Sequence, residues 1–249
     1  NHLPQTLTVH WHGIAIRNDM DGVPNQTQAP IPTGGTFTYE FTVNHEGSYF
    51  YHSHVGVQLD RGLYGALVIR PKQADPDRDA VVLLDDWTDG VGTDPDQLLA
   101  QLRPVGASGT MGGMNHGAGS GMSGIGDMSG MNHGSANPRN PLGTDTVDLD
   151  YPLYLINGKG SDNPSTITAK QSETVRLRVI NAAASTPFRV AVGSGPMTVV
   201  ATDGYAVQPV STTSLVVGMG ERYDVLVTAP NTGATPIVAR VEGKSAQVM

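Results

Sequence analysis

Hydrophobic and polar residues alternate with a period of two in several parts of the chain, which is the pattern of β-strands with one buried face. Thr36–Val43 alternates in this way, and Val175, Leu177 and Val179 alternate with two arginines to predict a half-buried strand. Ala80–Leu84 is apolar throughout, as expected of a strand in a sandwich core. Further short segments predict strands near residues 6–12, 65–69, 188–192, 197–201, 215–217, 223–227 and 237–241.

Glycine- and proline-containing turns separate most of these segments, and this spacing predicts an all-β fold of Greek-key sandwiches. A helix start is predicted only at Asp94–Gln97, where Asp, Pro and Gln occupy positions that a helix N-terminus prefers. The polar, proline-bearing segment 72–78 is the predicted domain boundary. Residues 1–72 are then expected to form a partial first domain that lacks its N-terminal strands, and residues 79–249 a second domain with an insertion at 104–140.

Composition supports this fold and narrows the function. The chain has 31 glycines and 17 prolines in 249 residues, which fits many turns and short strands. Its net charge of −8, with no basic run, argues against a nucleic-acid partner. No apolar stretch reaches the length of a membrane span. There is no cysteine, so the chain offers no thiolate for a blue-copper site.

Two His-x-His words carry the candidate chemistry: His10-Trp11-His12 and His52-Ser53-His54. Side chains at i and i+2 of a strand project from the same face, so each word presents two imidazoles side by side. Neutral imidazole suits copper, zinc, iron and nickel. A sheet can bring the pairs together, and the sequence therefore predicts a pocket of four histidines for more than one metal ion.

Around these histidines the sequence resembles the first cupredoxin domain of bacterial multicopper oxidases, and three later words are similar to the second domain. The words are Thr8–Gly13, Met20–Pro24, Gly47–His54 and Asp60–Gly65, then Leu155–Gly158, Arg176–Asn181 and Gly220–Val225.

The resemblance implies that His10 binds the type 2 copper of a trinuclear cluster and that His12, His52 and His54 bind the type 3 pair. It also implies that Asp21 is a catalytic proton relay near the type 2 copper. A simple turn role for Asp21-Gly22 stays open.

The same resemblance implies a copper-dependent oxidase that couples one-electron oxidation of a small reducing substrate, a phenol or Cu(I), to four-electron reduction of O₂ to water. In that family a third cupredoxin domain supplies four more histidines and the type 1 copper site. We therefore expect an internal piece of a longer protein that holds half of the cluster, is inactive alone, and has a third cupredoxin domain as its C-terminal partner. A periplasmic or secreted location follows from the resemblance.

A glycine-rich segment of low complexity, Gly106–Gly134, contains five methionines and a repeated Met-Asn-His-Gly word. Its composition predicts no secondary structure. Thioether sulfur favours Cu(I), so a second hypothesis is that this segment binds cuprous ions. A neutral linker stays open.

Three other functions stay open on the sequence alone. A copper-binding or copper-tolerance module without oxidase activity would explain the missing cysteine. A cupin barrel also uses a His-x-His motif, but Gln58 stands where a cupin glutamate is expected, and cupins do not duplicate the word. A mononuclear zinc hydrolase would need three ligands with an adjacent general base, an arrangement the sequence lacks.

Overall fold

The computed structural model describes residues 1–72, 78–102 and 149–249. We call residues 1–72 the N-terminal region and the two other ranges the C-terminal region. The predicted cuprous segment, Gly106–Gly134, lies outside the described residues. In chain order the elements are β1 (His10–His12), a 3-10 helix (Asn18–Met20), β2 (Gly47–His52), β3 (Tyr64–Ile69), β4 (Arg78–Trp87), α1 (Pro95–Leu102), β5 (Leu153–Ile156), β6 (Thr174–Asn181), β7 (Phe188–Val192), β8 (Met197–Thr202), β9 (Tyr205–Thr212), β10 (Leu215–Val217), β11 (Arg222–Thr228), β12 (Ile237–Val241) and β13 (Gln247–Val248).

Within the described ranges these strands form three sheets. An antiparallel three-stranded sheet has the order β1-β2-β3, and an antiparallel four-stranded sheet has the order β10-β7-β12-β13. A six-stranded sheet has the order β5-β4-β6-β11-β8-β9, in which β4 and β6 run parallel and the other neighbours antiparallel. The prediction of an all-β sandwich fold is confirmed.

The six-stranded sheet is the middle layer of the molecule. Leu177 and Val179 project from one face of β6 into a core shared with Phe188 of the four-stranded sheet. Ile180 projects from the other face and packs against Phe50 of the three-stranded sheet. The small sheet that carries the histidines therefore rests on the back of a β-sandwich.

The prediction that β6 is half-buried is wrong, because its arginine face is covered as well. Arg178 is 4% exposed, and its Nη1 donates to Ser48 Oγ at 3.0 Å and to Asp224 Oδ2 at 2.9 Å. Its Nε donates to Asp79. A buried charge is tolerated where it is paired and hydrogen-bonded. Alternation identifies the apolar face of a strand, but it does not show what covers the polar face.

The segment Thr36–Val43 alternates in burial as far as Phe41, whereas Val43 is exposed, and it does not form a strand. Tyr39 and Phe41 are half-buried, and their rings lie 5.5 and 5.2 Å from the ring of Trp11. The segment is attached to the chain before β1 through Tyr39 Oη, which accepts a hydrogen bond from the Val9 amide at 3.0 Å. A period of two reports which side chains are buried, whereas a ladder also needs a neighbouring strand with free backbone groups.

Other predicted elements agree with the structure. The segments near 188–192, 215–217 and 237–241 coincide with β7, β10 and β12. The helix α1 begins as predicted, with Asp94 Oδ1 accepting from the amides of Asp96 and Gln97 at 3.0 and 3.3 Å. The strand β9 was not among the predicted strands, because most of its residues are exposed and it has no buried face to produce an alternation.

Candidate metal centre

The antiparallel pairing of β1 and β2 brings the two histidine words together. His10 lies opposite His52 in the register, and His12 lies opposite Phe50. Directly opposed residues of neighbouring strands have Cβ atoms about 4.5–5.5 Å apart, so imidazoles on the same face come into contact. His54 follows two residues after the end of β2. A three-residue strand and one end of its neighbour are therefore enough to assemble the site.

The four imidazoles lie close together. One nitrogen from each of His10, His12 and His52 lies within 4.8 Å of the other two. The ring centre of His54 is 4.6 Å from that of His10 and 4.8 Å from that of His52. Nδ1 of His12 is 3.2 Å from Nε2 of His52, so these two nitrogens face each other. The structure brings all four predicted residues together, and their role as metal ligands remains a prediction.

Hydrogen bonds to backbone carbonyls fix the tautomers of two of these rings. His10 Nδ1 donates to the carbonyl of Asp21 at 2.7 Å, and His52 Nδ1 donates to the carbonyl of Ser53 at 3.1 Å. A carbonyl oxygen can only accept, so Nδ1 of each ring carries the proton. Nε2 of each ring then keeps its lone pair for a metal ion, as in many metal-binding histidines.

The surroundings of His12, His52 and His54 favour the neutral imidazole. Burial, followed by the positive charge of Arg222, lowers the pKa of His12 to about 3. Burial also lowers the pKa of His52 to about 4. The pKa of His54 is lowered by partial loss of water around the ring and by His10. Neutral imidazole is the form that binds metal ions, so these three rings are ready to act as ligands near neutral pH.

Asp21 lies beside the candidate metal centre, at the end of the 3-10 helix. Its Oδ1 is 3.5 Å from His10 Nδ1, and its side chain is 30% exposed. Gly22 follows with φ of 80°, and a Cβ at this position would lie 1.8 Å from the carbonyl oxygen of Val9. Asp21 thus has a carboxylate near a predicted ligand and a carbonyl that orients the same ligand.

Two supporting contacts of the centre are absent from the sequence predictions. Ser53 Oγ donates to Gln58 Oε1 at 2.6 Å, and Gln58 Nε2 donates to the carbonyl of Thr6 at 2.8 Å. This buried chain of hydrogen bonds holds the residue between His52 and His54. The ring of Phe50 stacks on His12 at 4.4 Å. From the sequence, Gln58 is noted only because it stands where a cupin has a glutamate. Its hydrogen bond to Ser53 forms only when the turn after β2 brings the two residues together, so the sequence pattern does not predict it.

A β-sandwich that presents two histidine pairs on an adjoining sheet is suited to hold metal ions, and comparison with known proteins identifies the family. Two family models, both described as multicopper oxidase, match residues 1–74 and 78–248. The chain belongs to the multicopper oxidase family. The cupin and zinc-hydrolase alternatives are set aside by this result.

Individual relatives agree with the family. The chain is 43% identical over 252 residues to multicopper oxidase MmcO of Mycobacterium tuberculosis, covering 99% of this chain and 46% of the relative. It is 36% identical to copper resistance protein A of Pseudomonas syringae pv. tomato, covering 91% of this chain and 38% of that protein. The crystal structure of blue copper oxidase from Nitrosomonas europaea is 26% identical with a TM-score of 0.68, covering 98% of this chain and 65% of that one. The chain spans less than half the length of both curated relatives.

Copper is the cofactor of this family, and the donor set of the candidate metal centre fits it. Imidazole nitrogen is a ligand that copper accepts in both of its common oxidation states. His12 and His52 also have less water to lose than exposed rings have, since both are half-buried. Among the described residues, no helix combines the length and the apolar composition that crossing a bilayer requires.

Proposed function

We propose that this chain supplies half of the trinuclear copper site of a multicopper oxidase. The observation that carries the proposal is the convergence of four imidazoles, with His12 Nδ1 and His52 Nε2 3.2 Å apart. Nitrogens at this spacing can both reach one metal ion, since bonds from imidazole nitrogen to zinc, for example, are about 2.0–2.1 Å long. His10 would hold the type 2 copper, and His12, His52 and His54 would hold the type 3 pair.

In this proposal the whole protein couples oxidation of a small reducing substrate, a phenol or Cu(I), to four-electron reduction of O₂ to water. The bound copper ions supply the one-electron redox chemistry. Residues 1–72 and 79–249 act as the first and second cupredoxin domains, and a third cupredoxin domain, C-terminal to them, completes the cluster. The chain's coverage of less than half of its curated relatives supports this arrangement.

The test of this function is O₂ uptake by the whole protein with Cu(I) or a phenol as the reductant. We expect uptake that His10→Ala abolishes. His45→Ala is the matched control, because His45 is exposed and lies against Tyr205 rather than in the candidate metal centre. Copper binding without O₂ uptake would contradict an oxidase function.

That outcome would favour the second candidate function, a copper-binding or copper-tolerance module without oxidase activity. The observation in its favour is the 36% identity to copper resistance protein A of Pseudomonas syringae pv. tomato, whose name describes copper tolerance and no oxidase activity. The two functions differ in whether the whole protein consumes O₂, not in whether this chain binds copper.

We propose that Asp21 relays protons in this reaction. Its carboxylate lies 3.5 Å from Nδ1 of His10, a predicted ligand, and its side chain is 30% exposed, so it can exchange protons with solvent water close to the centre. Asp21→Asn in the whole protein should keep its copper content and lower kcat by about 10²–10⁴-fold. Asp19→Asn is the control, since Asp19 is 62% exposed and pairs with Arg17. Loss of copper in Asp21→Asn would instead make Asp21 a positioning residue.

We also propose that the methionine segment, Gly106–Gly134, binds Cu(I). The proposed soft and borderline ligands are Met111, Met114, Met122, Met128, Met131, His116 and His133. A Cu(I) titration of the wild type and of a variant with all five methionines replaced by serine tests this proposal. Equal stoichiometry would mean that the segment is only a linker.

A periplasmic or secreted location is proposed from the family resemblance. Fractionation of cells that express the whole protein tests the location.

A further inference from the structure

The turn between β10 and β11 reaches from the C-terminal region to the candidate metal centre. Its backbone is held by several hydrogen bonds: the Gly220 amide donates to the Asn181 carbonyl at 2.9 Å, and the Glu221 amide donates to the Gly218 carbonyl at 3.1 Å. Glu221 Oε2 accepts from the Gly218 amide at 2.6 Å. The turn is therefore fixed to the six-stranded sheet rather than free to adapt to the histidines.

Gly220 touches the ring of His12. A Cβ at this position would lie 2.9 Å from Cε1 and 3.2 Å from Nε2 of His12, but 3.9 Å from Nδ1. The backbone thus borders the Nε2 edge of the ring, while Nδ1 faces His52 at 3.2 Å. A side chain on residue 220 would push the ring from this orientation.

Arg222 ties this turn to the histidine-bearing sheet. Its Nη1 donates to the Gly220 carbonyl at 3.0 Å, and its Nε donates to the Ser48 carbonyl on β2 at 3.2 Å. The guanidinium also lies 5.7 Å from the ring centre of Tyr49, and the residue is 4% exposed. Gly13, next to His12, leaves room for it, because a Cβ there would lie 2.1 Å from Arg222 Nη2.

We propose that Gly220, held in place by Arg222, is a positioning residue for His12. The C-terminal region would then set the orientation of a metal ligand that it does not itself supply. This inference rests on the proposed copper function. It goes beyond that function by assigning part of the metal centre's geometry to a turn outside the N-terminal region.

The chain contains a matched pair of glycines for the test. Gly220 has φ of 79° and Gly233 has φ of 76°, so alanine is strained to the same degree at both positions. A Cβ at Gly233 has no atom within 4 Å, whereas a Cβ at Gly220 meets His12. Any difference between Gly220→Ala and Gly233→Ala therefore reports the contact and not the backbone strain.

The experiment is a Cu(II) titration of the whole protein, followed by electron paramagnetic resonance, with thermal unfolding of the metal-free variants as a check on folding. We expect Gly220→Ala to weaken Cu(II) binding by about 10–100-fold, the range found when a residue that orients a ligand is changed. The copper spectrum should change with it. Gly233→Ala should keep the wild-type affinity and spectrum. Both variants retain all eight histidines of this chain, so any binding elsewhere is common to the two.

The outcomes separate this inference from the proposed function. If the whole protein with the wild-type sequence does not bind Cu(II), the proposed function fails. If the wild type binds and the two alanine variants bind alike, the function stands and the positioning role is overturned. If Gly220→Ala does not fold, the double variant His12→Ala/Gly220→Ala decides. If the double variant folds, the contact between residue 220 and His12 is supported. If neither variant folds, the positioning role is overturned.

Discussion

The N-terminal and C-terminal regions differ in what they bury. In the described part of the chain, the N-terminal region buries three hydrophobic side chains, Ile31, Tyr49 and Phe50, whereas the C-terminal region buries twenty-two. The candidate metal centre nevertheless lies entirely in the N-terminal region. A three-stranded sheet with so small a core of its own is stabilised largely by packing on its neighbour. The comparison shows that the candidate metal centre rests on the core of a different part of the chain.

The largest effect is expected from a change inside the sandwich core. Phe188 is fully buried and contacts the ring of Tyr154, so Phe188→Ala should lower the free energy of unfolding by about 3–5 kcal/mol. Because the N-terminal region rests on this sandwich, Cu(II) binding should be lost at the same urea concentrations at which the sandwich unfolds. Val210→Ala, at a side chain 57% exposed, should change stability by less than about 0.5 kcal/mol. Copper binding that persists after the sandwich unfolds would show that the N-terminal region folds alone.

The next effect concerns a buried ion pair of the C-terminal region, Arg178–Asp224, to which Ser48 of the N-terminal region is hydrogen-bonded. Asp224 is buried and faces Arg178 and Ser48, so Asp224→Asn leaves a buried guanidinium without its full countercharge. We expect a loss of about 3 kcal/mol in urea unfolding. Asp19→Asn removes an exposed pair with Arg17 and should cost less than about 1 kcal/mol. Equal losses in the two variants would mean that the buried pair contributes no more to stability than the exposed one.

A pH-dependent effect is expected where Tyr64 of the small sheet donates to Asp85 of β4 at 2.5 Å. Burial is the main cause that raises the pKa of Asp85 to about 8, and the negative charges of Asp86 and Asp60 raise it further. A raised pKa in the folded state gives stability that is present below the ordinary value of 3.8 and is lost as pH rises towards 8. Asp85→Asn should therefore gain stability relative to wild type across this range, by on the order of 2 kcal/mol. Urea midpoints at about pH 4, 6 and 8, which span the two pKa values, measure it, and a constant difference would contradict the raised pKa.

The smallest effect is expected within the N-terminal region. Ser53→Ala removes the hydrogen bond to Gln58 that holds the residue between two predicted ligands. We expect about a tenfold loss of Cu(II) affinity in a calorimetric titration. Ser172→Ala removes an exposed hydrogen bond to Asn231 and should leave the affinity unchanged. An affinity for Ser53→Ala equal to that of the control would show that Gln58 does not orient the histidines.

The sequence alone predicts features that depend on residues close together in the chain. β7, β10 and β12 follow from short apolar segments between turns, and the histidine words follow from the two-residue repeat of a strand. The sequence does not predict contacts between residues that are far apart in the chain. Ser48 and Asp224 are 176 positions apart, and Gly220 approaches His12 from across the molecule. Periodicity describes one strand at a time, so it shows neither how Arg178 is neutralised nor why residue 220 lacks a side chain.

The central claim is that His10, His12, His52 and His54 form one copper centre. Nuclear magnetic resonance of the histidine rings during addition of substoichiometric Cu(II) tests it directly, because a paramagnetic ion broadens the signals of nuclei close to it. We predict that the ring signals of these four residues broaden together, while those of the exposed His2 and His45 remain sharp. Four sharp signals at the centre, with broadening of His2 or His45 instead, would contradict the claim.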